Sequence, residues 1–263
     1  MSEITDKLSQ IRSLTGRHGL EAILLQRVSS VAWATGGASS YVNLARSQAE
    51  VSLLITGDKH FLLTNNIEAA RLEKEEQLLS QGWDFQITPW FEQEWIDPRL
   101  IGRLKLGSDY YFPNSVDLSV EIARLRANLN REEGQRFRLL GKLCGEAMEA
   151  AVQSVQPGQT EYEIAGFLAG EAERRGVQAI VVLIATDERI FNFRHPLPTG
   201  KKLDHYAMLI LCGRRSGLVC SLTRLIYFGK LPEEIRGKAQ AVARVDAAML
   251  AATRPGRTLG EIF

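Results

Sequence analysis

Of four histidines, His195 is the one best placed for chemistry. It lies in Asn192-Phe193-Arg194-His195-Pro196, just ahead of two apolar runs, Tyr206 to Cys212 and Leu218 to Phe228. A neutral imidazole, with a pKa of about 6.5, can take and return a proton at working pH. The structural alternative is a turn histidine bonded to backbone beside Pro196. His18, His60 and His205 are dispersed and not spaced as metal ligands. Arg224 interrupts an otherwise apolar run, where a guanidinium would anchor a substrate carboxylate or pair with a carboxylate of the protein. Cys212 and Cys220 raise the possibility of a thiol nucleophile. Pairing the two runs about Gly213 and Gly217 sets Cys212 near Leu218 and Cys220 near Ile210, which argues against a disulfide. Cysteines in strands usually pack as small residues. Arg214 and Arg215, at the tip, read as a solvated turn. Gly36-Gly37-Ala38-Ser39-Ser40 has no following lysine and makes no phosphate loop, and neither H-E-x-x-H nor G-x-G-x-x-G occurs.

The chain that positions these residues has 263 residues, 45% apolar and 24% charged, the balance of a soluble α/β protein. A formal charge of +1 without charge blocks gives no footprint for nucleic acid or an anionic membrane surface. No apolar run approaches the roughly 18 residues of a membrane span. Three cysteines in apolar surroundings, and an N-terminus without a secretory pattern, predict reduced thiols in a cytoplasmic protein.

Ile4, Leu8, Ile11 and Leu14 predict an opening helix, stopped near Gly16 and Gly19. Ala22 to Leu25 reads as a strand buried on both faces. Val51 to Ile55 and Phe61 to Leu63 predict a hairpin about Thr56-Gly57-Asp58-Lys59, followed by a charged helix over 67–79 and a strand over 85–87. Trp90, Phe91 and Trp95 are expected to pack over the edge of this α/β domain, which spans residues 1–125. The texture then changes. Asn130 with Glu133 predicts a capped helix whose face is Phe137, Leu140, Cys144, Ala147, Ala151 and Val155. A second capped helix opens at Thr160 with Glu163 and closes at Gly176; a strand over 177–185 and the apolar hairpin come next. Pro232 suits the start of an alanine-rich helix running to Thr253.

Pro157-Gly158-Gln159-Thr160-Glu161-Tyr162-Glu163-Ile164 recurs 98 residues on as Pro255-Gly256-Arg257-Thr258-Leu259-Gly260-Glu261-Ile262. Each copy follows a helical segment and carries a T-x-x-E capping box, so duplication explains the pair better than chance. A capped turn with no helix behind it does not repay nucleation. The second unit, ending at Phe263, is therefore expected to be truncated.

Gln156 to Ile164 resembles the K-P-G-x-T-E-x-E-[LI] element of the pita-bread hydrolases: Xaa-Pro aminopeptidases, prolidases, methionine aminopeptidases and creatinase. Gly19 to Leu25 and Trp33-Ala34-Thr35-Gly36-Gly37 are similar to the G-[LI]-D-A-L-L-[LV] and Y-x-T-G elements of the family's creatinase-like N-terminal domain. Asn192 to Pro196 and Leu222-Thr223-Arg224 fall at its histidine and x-T-R positions. The resemblance implies a creatinase-like α/β domain over 1–125 and an incomplete pita-bread domain over 126–263, α/β (α+β) in class, and a homodimer. It also implies an amide-like C–N bond in a small molecule or short peptide as substrate.

One departure is chemical. Metal-using relatives carry two hairpin aspartates in D-x-G-x-x-x-x-G-Y-x-x-D-x-T-R. Aligned on Thr223-Arg224, the second falls on Ser221 and the first on Ile210, or on Leu211 with a shorter turn. No Asp or Glu occurs from His205 to Pro232. The family's other ligands, a histidine and two glutamates, would lie beyond Phe263. The expectation is therefore no metal and no cofactor, with His195 matching the catalytic histidine of metal-free creatinase and Thr223 and Arg224 binding substrate. Creatine itself fits poorly, because the glutamate of creatinase's E-R-T has no counterpart in Thr223-Arg224-Leu225. Two other readings stand beside this one: an inactive binding or dimerisation module, and a metal-dependent Xaa-Pro aminopeptidase.

Overall fold

The computed structural model describes residues 2–92, 101, 102 and 104–263. Helix α1 (Glu3–Arg17) starts at Ser2, whose hydroxyl accepts the Thr5 N–H. Its predicted stripe, Leu8, Ile11 and Leu14, is buried. Strands β1 (Ala22–Arg27), β2 (Gln48–Thr56), β3 (His60–Asn65), β4 (Asp84–Thr88), β5 (Leu106–Ser108) and β6 (Val116–Asp117) form one sheet, ordered β4-β3-β2-β1-β5-β6. Both faces of β1 are covered, as its continuous apolar run predicts. Ile23 and Leu25 pack with α1 and with Trp33 of α2 (Val28–Ala34), and Ala22 and Leu24 with Leu54, Leu63 and Leu106.

Two expectations fail here. The helix predicted over 67–79 is only α3 (Ala69–Lys74), because Gln77 turns left-handed (φ 55°) before a short 3-10 turn at Leu79–Gln81. Leu72 and Leu78, both buried, lie six residues apart and would diverge on a continuous helix. Unwinding brings both inside. Trp90 and Phe91 stand exposed, edge to face with each other, instead of covering the sheet edge. Trp83 is the tryptophan buried at that end of the sheet. Trp95 lies outside the described residues.

After α4 (Ser119–Ala127) come α5 (Arg131–Ser154) and α6 (Glu161–Arg174). Both predicted capping boxes are present: Asn130 with Glu133, and Thr160 with Glu163. Strands β7 (Gln178–Thr186), β8 (Tyr206–Arg215) and β9 (Leu218–Tyr227) form a second, antiparallel sheet, with α7 (Glu188–Asn192) between β7 and β8. Leu140, Cys144, Ala147, Met148 and Ala151 of α5 pack against Leu209 and Leu211, whereas Phe137 is left exposed. Then follow α8 (Glu233–Ala252), which buries no residue, and the single turn α9 (Leu259–Ile262), whose Thr258–Glu261 capping box matches that of the first copy. No helix among the described residues is long and apolar enough to cross a membrane.

The two regions are tied at α1. Buried Lys7 donates to Glu3 (2.6 Å), Glu133 (2.9 Å) and the Trp33 carbonyl (2.8 Å), and Arg136 grips the same Glu3 through both terminal nitrogens. The tip of the β8–β9 hairpin seats on the first region as well. A Cβ on Gly37 would lie 2.8 Å from the Ser216 Cβ, so glycine permits this contact. Arg214 is therefore not a solvated turn residue but lies half-buried over the Tyr41 ring at 4.3 Å, whereas Arg215 stays exposed, as expected, while donating to the Arg175 carbonyl at 3.0 Å.

Candidate functional site

The hairpin turns on two residues, Ser216 and Gly217, both with positive φ (50° and 75°), the conformation that matches the twist of paired strands. This tight turn corrects the register expected from a five-residue loop. Cys212 faces Ser221, Cys220 faces Gly213 and Ile210 faces Thr223. Opposed residues share a face, and neighbours along a strand alternate. Ala207, Leu209, Leu211, Cys220 and Leu222 therefore meet α5, while Ile210, Cys212, Ser221 and Thr223 form the other, open face.

Thr223 and Ser221 are exposed on that open face, where the Ser221 hydroxyl lies 3.1 Å from Cys212 Sγ. Arg224 pairs with Leu209 and stands on the α5 side, its guanidinium donating to the Thr223 carbonyl at 2.8 Å. The x-T-R positions thus do not converge. Cys212 and Cys220 lie on opposite faces, and all three cysteines are free. Burial, reinforced by the neighbouring Cys220 thiol, pushes the Cys144 thiol up to about 11. That thiol packs and is no nucleophile.

His195 lies in the connection between α7 and β8. It is exposed and forms no hydrogen bond or ion pair with the described residues, so the backbone-bonded turn histidine is not what the fold contains. The segment around it, by contrast, is held at both ends. Glu161, fully buried at the start of α6, accepts the Thr186 N–H (2.8 Å) and hydroxyl (3.0 Å) on one oxygen. Its other oxygen accepts the Thr199 N–H (2.9 Å), the Thr199 hydroxyl (2.7 Å) and the Arg189 guanidinium. Burial raises the Glu161 pKa, yet the bonds from Arg189, Thr199 and Thr186 outweigh it and hold the carboxyl below its ordinary value. Arg189 also donates to the Leu197 carbonyl (3.1 Å). Asp187, in a left-handed conformation (φ 52°), accepts the backbone N–H groups of Asp204, His205 and Tyr206 at 2.9–3.0 Å. Sequence reasoning missed Glu161, Asp187 and Arg189. The one signal available was Glu161, an acidic residue in the T-E-x-E element that the capping box does not use.

Beside the open face, Phe191, Tyr206, Leu225 and Tyr227 line a cleft of about 690 Å³ closed on its far side by Leu231 and Ile235, ahead of and on α8. The lining is mostly apolar, as suits an apolar side chain or ring of a ligand, with Lys238 and Asp246 of α8 also on it.

Residues 7–127 match the Creatinase/Prolidase N-terminal domain, and residues 135–263 match Metallopeptidase family M24. Between them the two matches leave only residues 1–6 and 128–134 unaccounted for. The fold is similar to that of the prolidase from Pyrococcus horikoshii OT3 (TM-score 0.78, 18% identity), over 98% of this chain and 75% of that one. It is also similar to a Xaa-Pro dipeptidase from Bacillus anthracis (TM-score 0.78, 17% identity, 98% and 75% of the two chains). A proline aminopeptidase P II from Yersinia pestis matches over 100% of this chain and 71% of its own (TM-score 0.74, 16% identity). No curated protein sequence matches the chain significantly. The chain belongs to the pita-bread family of Xaa-Pro peptidases and their relatives.

A metallopeptidase family implies divalent cations, and the hairpin's donor set does not suit them. Ile210 and Leu211 offer no donor, and Ser221 and Cys212 offer a neutral hydroxyl and one thiol. A pair of divalent ions requires bridging carboxylates to neutralise its charge. Among the described residues, no group of three or more His, Cys, Asp or Glu side chains is arranged to hold an ion.

Proposed function

We propose that this protein is a hydrolase of the Xaa-Pro peptidase and creatinase type, acting on an amide-like C–N bond of a small molecule or short peptide without a resident metal. The observation that carries the reading is the hairpin's open face, where Ile210, Cys212, Ser221 and Thr223 stand and no carboxylate does. Without a cation to acidify water, hydrolysis needs a side-chain base. His195, unpartnered and solvent-facing, supplies one. The Thr223 hydroxyl on the open face would hold the substrate. Arg224 would reach a substrate anion only around the free edge of β9.

A second reading, a binding module without catalysis, is favoured by one feature: the apolar cleft beside α8 could hold a ligand with no reaction following. Calorimetric titration of the tag-free protein with Mn²⁺, Co²⁺ and Zn²⁺ tests the metal-free premise. The expected result is no stoichiometric binding; two tightly bound ions per chain would refute it.

A further inference from the structure

The two copies of the repeat show which of their residues serve the turn itself. Thr160 and Thr258 occupy the same position, as do Glu163 and Glu261, and in both copies these side chains close the capping box. Ninety-eight residues after Glu161, however, stands Leu259, which is exposed. The turn and the helix start therefore form without an acid at this position. Glu161 is nonetheless fully buried, and an uncompensated carboxylate there would be costly. All the bonds of its carboxylate run to residues 186–199.

The backbone draws the same segment to the same place. The Glu161 N–H donates to the Lys201 carbonyl at 3.0 Å, the Tyr162 N–H to Thr199 at 3.2 Å, and the Leu203 N–H to Gln159 at 2.8 Å. Residues 158–162 thus form one wall and 199–203 the other, with the Glu161 carboxylate between them and Thr186 at the end of β7. The stretch from 187 to 198, made of α7 and the loop that holds His195, has its two ends clamped by one carboxylate.

We propose that Glu161 is a positioning residue: it acts through Thr186, Arg189 and Thr199 to fix the loop that presents His195. The inference rests on the reading of His195 as the proton-transfer residue, but its test does not need catalysis. Glu161→Gln keeps the side chain's shape and leaves a single acceptor oxygen. Its new NH₂ then confronts donors, either the Thr186 pair or the Arg189 and Thr199 set. Thr199→Val is the milder companion, removing one hydroxyl, and it decides the matter if Glu161→Gln fails to fold.

Hydrogen exchange and histidine-selective NMR of the full chain provide the readout. In Glu161→Gln the amides of 187–205 should exchange faster by on the order of 10- to 100-fold, the equivalent of one or two charge-assisted hydrogen bonds. The His195 imidazole signals should shift or broaden, while His18, His60 and the amides of α5 stay as in the parent. Thr199→Val should show the same pattern, weaker. Unchanged loop exchange and an unchanged His195 spectrum in a folded variant would overturn the proposal. If the loop loosens but hydrolysis is untouched, Glu161 holds the loop as inferred and the role given to His195 is what fails.

Discussion

The two helix–turn units, α5 with α6 and α8 with α9, begin from nearly the same instructions and end in different environments. Each turn bends at a glycine of positive φ, Gly158 at 89° and Gly256 at 86°, and each following helix carries a complete capping box. Yet α5 buries Leu140, Cys144, Ala147, Met148 and Ala151, and α8 buries nothing, leaving Val242, Val245 and Leu250 exposed. Turn and cap are satisfied by atoms within a few residues. Burial requires a facing surface: α5 has β8 and β9, and among the described residues α8 has no equivalent. A capped, amphipathic segment is thus a statement about local hydrogen bonds, and packing is a separate one.

The largest expected contrast is in the core. Leu140→Ala should lower unfolding stability in urea by about 2–5 kcal/mol, the cost of a buried cavity. Val242→Ala or Val245→Ala should change it by less than about 0.5 kcal/mol. Equal losses would break the comparison. Next comes the charged clamp between α1 and α5, which no residue of α8 reproduces. Burial raises the Glu3 pKa, but the bonds from Arg136 and Lys7 outweigh it and bring it from 4.5 to about 2. A depressed carboxylate contributes stability that is fully present above its unfolded pKa and lost as pH falls through its folded one. Stability should therefore decline from about pH 4.5 to about 2, by on the order of 2 kcal/mol from this group after allowing for its partial exposure. Glu3→Gln should flatten that part of the urea-midpoint profile; an unaltered profile would show the clamp to be idle.

A smaller effect separates the caps. Thr160→Ala should cost about 1 kcal/mol, while Thr258→Ala should leave the global midpoint unmoved, because α9 is exposed and supports no core. Hydrogen exchange sharpens the same point. The amides of 259–262 should be nearly unprotected and those of 140–151 among the slowest. Strong protection of both stretches in a monomer would contradict it.

Legibility in the sequence followed the range of the interaction. The α1 stripe, the β2–β3 hairpin and all three capping boxes depend on neighbours within a few residues, and their patterns predict them directly. The register of β8 with β9 was missed because five small and polar residues mark a turn without saying which two form it. The break after Lys74 was missed because it is set by the wish of Leu72 and Leu78 for one core. Docked Arg214 could not be told from a solvated arginine, since its partner Tyr41 is distant in sequence. Within the candidate site, the sequence singles out His195 as a candidate by type and place, whereas Asp187 and Arg189 act through bonds that leave no local pattern.

The central claim is proton transfer by His195 without a metal, and one kinetic comparison tests it most directly. Hydrolysis of a panel of Xaa-Pro dipeptides and small C–N substrates would be measured with and without a strong chelator, in the parent and in His195→Ala. The account predicts activity that the chelator does not touch and that His195→Ala lowers on the order of 10²- to 10⁴-fold, as for loss of a general base, in a variant that still folds. Activity that survives His195→Ala and disappears with the chelator would contradict it.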